Sequence, residues 1–465
     1  MTFPLGRPIL FLLLIALASG AAIVARPAPP HADLTLWTFA SSHAKSYRGD
    51  GRPGSAPSLV EQFRWRTGHD VRVDLVASRA LDVRLASLFM SGEADGLSAD
   101  LVEVEISSVG RFFRPPVERV GFLPLNDYLR RSGLDQRIVP TRFAPWTKQG
   151  VIFGVPHDVH PVTLTYRKDL FDQAGVDLAS AGTWREFQER CLTFQTHWHR
   201  AGVPHRRSIE LPSGSADVLV MMLLQRGINL LDDHGGVNLT HPRVSETIAF
   251  YAGLVAGPGT IGADTPRGEG LWARDLEQGR VCAALTPDWR VDSLRTFAPE
   301  LAGKLAMMPL PRFDPSDAPT STWGGTMIGI PRVCPNPDAA WELLTFLYLS
   351  SESLAARRRY STILSPVIEH WTDPALYQPD PFFGGQRVDA MFVALAPKIP
   401  PRYVTPFSAL ATAQLAGVLG KAVDRIDASA DGPALLDDQC RDWLIDAEAE
   451  LRRWIEFGTF DGDHP

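Results

Sequence analysis

Apolar and polar positions switch between two periods along this chain, and the switches mark out its elements. DLTLWTFA (33–40) is rich in β-branched and aromatic residues and predicts a strand. A polar stretch with Gly49, Gly51, Pro53 and Gly54 follows and predicts a loop over 41–57. SLVEQFRWRT (58–67) sets Leu59, Val60 and Phe63 on one helical face, with Ser58 as cap and Gly68 as stop. HDVRVDLVAS alternates with period two, a helix is expected over about 79–92, and ADLVEVEI (99–106) predicts another strand. This strand–helix–strand order argues for an open, mostly parallel α/β sheet.

The same alternation resumes further on. FGVPHD predicts a strand ending at a proline, and VTLTYRKDLFDQAG a strand running into a helix. Thr183 with Glu186 three residues later is a capping-box signature. Helical periodicity recurs over 216–226 and 242–256. VCAALTPDW (281–289), KLAMMPLP (304–311) and the Gly-broken STWGGTMIGIP (321–331) predict strands. PDAAWELLTFLYLS (337–350) predicts an apolar helix, and the chain from Phe407 to about 457 is mostly helical.

Length and charge narrow the possibilities. At 465 residues and 45% hydrophobic content the chain has material for two cores. A formal charge of -7 without a basic run gives no reason to bind nucleic acid or an anionic membrane. Arg7, then an apolar run of about 18 residues from Pro8 to Ala25, then a Pro-rich linker, predict an export signal or an uncut N-terminal anchor over 1–32. Without that segment the charge is about -9. Cys191, Cys282, Cys334 and Cys440 are far apart. They permit disulfides in an oxidising compartment, read most simply as buried thiols, and lack the spacing of a zinc site. Metalloprotease, serine-hydrolase, P-loop and dinucleotide-binding motifs are missing.

An ordered series of segments resembles the bacterial extracellular solute-binding proteins, in the branch of maltose- and arabinooligosaccharide-type sugar binders. It runs LTLWTF, VEQFRWRTGHDVRV, ADLVEVEISSVGRF, FGVPHDVHPVTLTYRKDLFDQAGVD with TWREF, LEQGRVCAALTPDW, STWGGTMIGIP with PDAAWELLTFL, and PFFGGQ. YRKDLFDQAGVD followed by TWREF is the most specific part. The resemblance implies an α/β, two-lobe periplasmic-binding-protein fold of type II, with a hinge and an interlobe cleft. Lobe one would hold 33–153 and 320–364, and lobe two 154–316 and 366–460. It further implies a monomeric, extracytoplasmic binding component of an ABC transporter. Such a component delivers a sugar to permease subunits powered by a separate ATPase, with no cofactor and no reaction of its own.

A sugar pocket needs aromatic faces for the C–H faces of the rings and planar polar groups for the hydroxyls. Five places are expected at the cleft. The end of the first strand offers Thr38, Ser41 and His43. The strand in VEISS offers Glu103 and Glu105, which share a face because they are two apart. The proline-flanked turn PHDVHP offers His157, Asp158 and His160. Asp288 and Trp289 follow one strand, and Trp323, Gly324 and Gly325 form another candidate, where glycines let a ligand approach the backbone. Three other readings stand beside this one: a membrane-anchored ligand sensor of the same fold, a metal or polyamine binder, and a carbohydrate-active enzyme. The last is disfavoured because glycosidase carboxyls flank the scissile bond about 5–10 Å apart, whereas Glu103 and Glu105 are neighbours on one strand.

Overall fold

A computed structural model describes residues 32–458, leaving aside 50, 52–55, 92–98, 266–267, 269 and 429–432, and residues 11–12, 14–15 and 17 of the N-terminal segment. The expected signal or anchor therefore lies mostly outside the described residues. Among them, no helix is long and apolar enough to cross a membrane.

The first half opens with β1 (Leu34–Thr38), α1 (Ser41–Arg48), α2 (Leu59–Thr67), β2 (Val71–Leu75), α3 (Ser78–Ser91) and β3 (Leu101–Glu105). All five residues of β1 are buried. Ser58 and Glu61 cap α2 reciprocally, and Gly68 ends it at φ 82°, a conformation glycine adopts without strain. Helix α1 lies where the sequence predicted loop. Its buried side chains His43, Ala44, Ser46 and Tyr47 are mostly polar, so no apolar periodicity announces it. Tertiary packing holds it instead.

The chain continues through β4 (Val155–Pro156), β5 (Val162–Arg167), α4 (Trp184–Arg200), α5 (Asp217–Gln225), α6 (Pro242–Val255), α7 (Leu271–Glu277), β6 (Ala283–Pro287), α8 (Asp288–Phe297) and β7 (Leu305–Pro309). Then come β8 (Thr326–Gly329), α9 (Pro337–Leu349), α10 (Ser351–Tyr360), α11 (Ser408–Ala428) and α12 (Pro433–Gly458). Thr183 and Glu186 form the expected capping box on α4.

Two main sheets organise the molecule. One has five strands in the order β2-β1-β3-β8-β4, the other three in the order β6-β5-β7. In the first, β1 pairs in parallel with β2 and β3, but β8 is antiparallel to β3 and β4. The second is antiparallel throughout. The mostly parallel sheet expected from the sequence is thus corrected to one mixed and one antiparallel sheet. The reason is connectivity: β8 belongs to the first sheet but enters it from the second, so its direction is reversed.

Two segments run side by side between the sheets. His157 N–H donates to Thr326 O at 2.8 Å, Pro161 bridges Thr322, and Val162 N–H donates to Ser321 O at 3.1 Å. Ser361–Ser365 lies against the start of α8, with Thr362 Oγ1 donating to Asp288 O at 2.7 Å. Each sheet has its own apolar interior: Leu34, Leu36, Leu101 and Ile328 pack with α9, while Val162, Leu164, Leu285 and Met308 pack with α4, α6, α11 and α12. The four cysteines are buried and unpaired. Burial pushes the thiols of Cys282, Cys334 and Cys440 up to about 12.

Candidate functional site

Seven of the thirteen candidates meet in one cavity of about 480 Å³ between the sheets: His43, Glu105, His160, Trp289, Trp323, Gly324 and Gly325. A second cavity of about 600 Å³ shares Trp289, Trp323 and Asp217 and extends over Trp272, Glu210 and Arg290. The two form one cleft. Its aromatic wall is a pair of indoles with centroids 5.8 Å apart and planes at 76°. Trp289, at the start of α8, is fixed by its indole N–H donating to Trp323 O at 2.9 Å. Arg290 lies over the Trp272 ring at 3.5 Å and pairs with Glu210 at 2.8 Å.

The polar side of the cleft includes residues that sequence reasoning missed. Ser42, Ser107, Asp217 and Arg402 line it with Glu105. Burial and Arg142 lower the Arg402 guanidinium to about 10, against support from Asp217 and Glu105. Burial also raises the Glu105 carboxyl above its ordinary value, and Asp82 adds to that. Arg402 sits in PPRYVTP, which has no pattern that would single it out.

The other six candidates do not line these cavities. Ser41 is exposed at the first turn of α1, and Ser42 faces the cleft instead. Thr38, Glu103, His157, Asp158 and Asp288 are buried behind the wall. They form two polar clusters.

The first surrounds His160. Its Nδ1 is 2.5 Å from Asp288 Oδ1 and its Nε2 is 3.1 Å from Asp158 Oδ2. Burial alone would lower this imidazole, but the two carboxylates outweigh it and raise it to about 9, so the ring carries a proton on each nitrogen at neutral pH. Arg142 donates from Nη2 to Asp158 Oδ1 at 2.7 Å, from Nε to Asp158 O at 3.0 Å and from Nη1 to Thr322 Oγ1 at 3.0 Å. Asp288 also accepts from the backbone N–H groups of Trp289 and Leu364, each at 2.8 Å. Two cations thus balance two anions where the paired segments and Leu364 meet. His160 adopts φ 55°, a left-handed backbone that these bonds hold in place.

Gly325 is part of the same knot. At φ 150° it has a backbone that L residues rarely adopt, and a Cβ there would lie 2.7 Å from Arg142 Nη2. Gly325→Ala is expected to lower stability by about 1–3 kcal/mol from backbone strain, plus the cost of displacing a guanidinium bonded on three sides. Urea unfolding checks this, with Gly324→Ala as the milder comparison.

The second cluster surrounds Glu103. Its carboxylate accepts from Tyr47 Oη at 2.5 Å and Tyr348 Oη at 2.9 Å, and it also accepts from Thr38. His43 Nδ1 lies 2.9 Å from Oε2. Burial opposes the charged form, but His43 and these hydrogen bonds prevail and hold the carboxyl below its ordinary value. Burial and the nearby Arg357 guanidinium push His157 well down, so its imidazole is neutral.

Two α/β bodies joined by paired segments, with an aromatic and polar cleft between them, define a protein built to hold a small solute. The comparisons agree. Residues 59–383 match the family model of the bacterial extracellular solute-binding proteins, and the chain belongs to that family. It is 24% identical over 358 residues to an arabinooligosaccharide-binding protein of Halalkalibacterium halodurans, covering 76% of this chain and 75% of that protein. The fold is that of the sugar-binding protein MalE from the phytopathogen Xanthomonas citri, with a TM-score of 0.70 at 19% identity, over 91% of this chain and 98% of that one. It also matches the ABC transporter associated binding protein of B. animalis subsp. lactis Bl-04 in complex with beta-1,6-galactobiose, with a TM-score of 0.67 at 18% identity, over 92% and 98% of the two chains. The expected two-lobe type II fold is therefore the observed one. The family is one of binding proteins that work outside the cytoplasm.

Proposed function

We propose that this chain captures a sugar or oligosaccharide in the interlobe cleft and delivers it to the permease of an ABC importer, whose ATPase is a separate chain. Residues 33–153 with 320–364 make one lobe and 154–316 with 366–460 the other. Residues 1–32 direct export, either as a cleaved signal or as a tether to the membrane. The chain acts as a monomer and carries out no reaction on its ligand.

The observation that carries this reading is the right-angled indole pair beside Glu105, Asp217 and Arg402. Indole faces suit the C–H faces of a sugar ring, while the carboxylates and guanidinium satisfy its hydroxyls. The ligands named for the relatives, arabinooligosaccharides and a galactobiose, have that chemistry.

A thermal-shift screen against mono- and oligosaccharides and polyamines tests it. A ligand at 100 times its Kd stabilises the folded state by about 2.7 kcal/mol, an easily measured shift. A sugar that shifts the transition and is recovered intact is the expected result. Cleavage of the sugar would sink the binding-only assignment, and a response to polyamines alone would replace the ligand class.

A further inference from the structure

We propose that His43, which lines the cleft, and Glu103 and His157 behind it bind one divalent transition-metal ion of the zinc class. The proposal does not depend on the sugar assignment. One donor atom from each residue lies within 4.8 Å of the other two. Independently, His157 is 2% exposed and neither of its ring nitrogens has a hydrogen-bond partner. Leaving a buried polar group bare costs about 1–3 kcal/mol, and an imidazole has two such nitrogens. A metal ion satisfies one directly.

The geometry is close to what an ion needs. Zinc with bonds of about 2.0–2.2 Å sets tetrahedral donors roughly 3.3–3.5 Å apart. His43 Nδ1 and Glu103 Oε2 are already 2.9 Å apart. The His43 and His157 rings lie 3.8 Å apart between centroids, inclined at 32°. The ion takes the place of the proton between His43 Nδ1 and Glu103, the neutral His43 ring then carries its single proton on Nε2, any second proton leaves to solvent, and His157 rotates to supply the third bond. A water completes four ligands. Two imidazoles and one carboxylate favour zinc over calcium or magnesium, which take mainly oxygen ligands. Tyr47 and Tyr348 hold the other carboxylate oxygen and so orient the ligand from outside.

Besides the charged His160 ring, the charge that opposes an ion is Arg357, which donates to His157 O at 2.8 Å and lies over the Tyr348 ring at 5.2 Å. It weakens the site without filling it. The sequence neighbours Asp158 and His160 are not ligands, because Arg142 and Asp288 already occupy them.

The test uses the chain free of any affinity tag, stripped with chelator, incubated with excess Zn²⁺ and desalted, with metal then measured by mass spectrometry. About one zinc per chain is expected. His43→Gln and His157→Gln should each lower retention at least tenfold. A His199→Gln/His234→Gln double variant, altering two exposed histidines, should keep it. The thermal transition of each variant without metal checks that it is folded. If either histidine variant fails to fold, the other decides. Co²⁺ bound to the wild type gives a second readout, with the strong visible absorption of a four-coordinate site expected. No zinc retained by the wild type, retention unchanged in a folded His43 or His157 variant, or only the weak absorption of six-coordinate cobalt would each overturn the proposal.

Discussion

Replacing Arg142 by alanine is expected to lower folding stability by about 3–5 kcal/mol, the cost of leaving a buried charge without its partner. Arg142 is 1% exposed, and its guanidinium bonds Asp158 twice and Thr322 once. Without it, one positive charge on His160 faces the carboxylates of both Asp158 and Asp288 in a largely buried site. Urea unfolding of wild type and variant gives the difference, and the midpoint should fall with little change in slope. Thr322→Val removes one of the three bonds and should cost only about 1 kcal/mol. A loss of about 1 kcal/mol or less in Arg142→Ala would mean that the cluster contributes no more than an ordinary surface pair. Because Gly325 packs against the same guanidinium, Gly325→Ala should cost less in the Arg142→Ala background than in the wild type.

Trp289→Ala should weaken the sugar identified by the screen at least about 30-fold, corresponding to the 2 kcal/mol or more typical of a central, desolvated aromatic. The indole lines both parts of the cleft, and its N–H is committed to Trp323 O, so its remaining faces are available to a ligand. Calorimetric titration of folded protein measures the change. Trp289→Phe keeps an aromatic face and should recover part of the affinity. If Trp289→Ala lowers the melting temperature but leaves affinity intact, the indole is a packing residue and the wall must be sought elsewhere in the cleft.

Much of this was legible in the order of residues. The strands at 34–38, 71–75 and 101–105, the cap at Ser58 and the capping box at Thr183–Glu186 follow from local periodicity and from hydrogen bonds spanning three residues, whereas the return bond from Glu61 to Ser58 did not stand out. The aromatic wall was legible too, since Trp289 follows a strand and Trp323 precedes one in segments that carry the family resemblance. Helix α1 was not, because its buried face is polar and satisfied by Glu103, some 60 residues away. Arg402 was not, because no nearby residue in the chain announces a guanidinium that the fold brings to Glu105 and Asp217.

PHDVHP marks the limit most clearly. The sequence alone determined a rigid, proline-flanked turn carrying three polar groups, since proline fixes backbone angles wherever the turn ends up. Only the tertiary structure decided their separate fates. His160 points into a cage of two carboxylates and takes a charge, Asp158 is held by Arg142, and His157 turns toward Glu103 and stays neutral. Ionisation and ligation depend on groups within a few ångströms in space, and apart from Asp158 beside His160 those groups lie between 16 and 200 residues away along the chain.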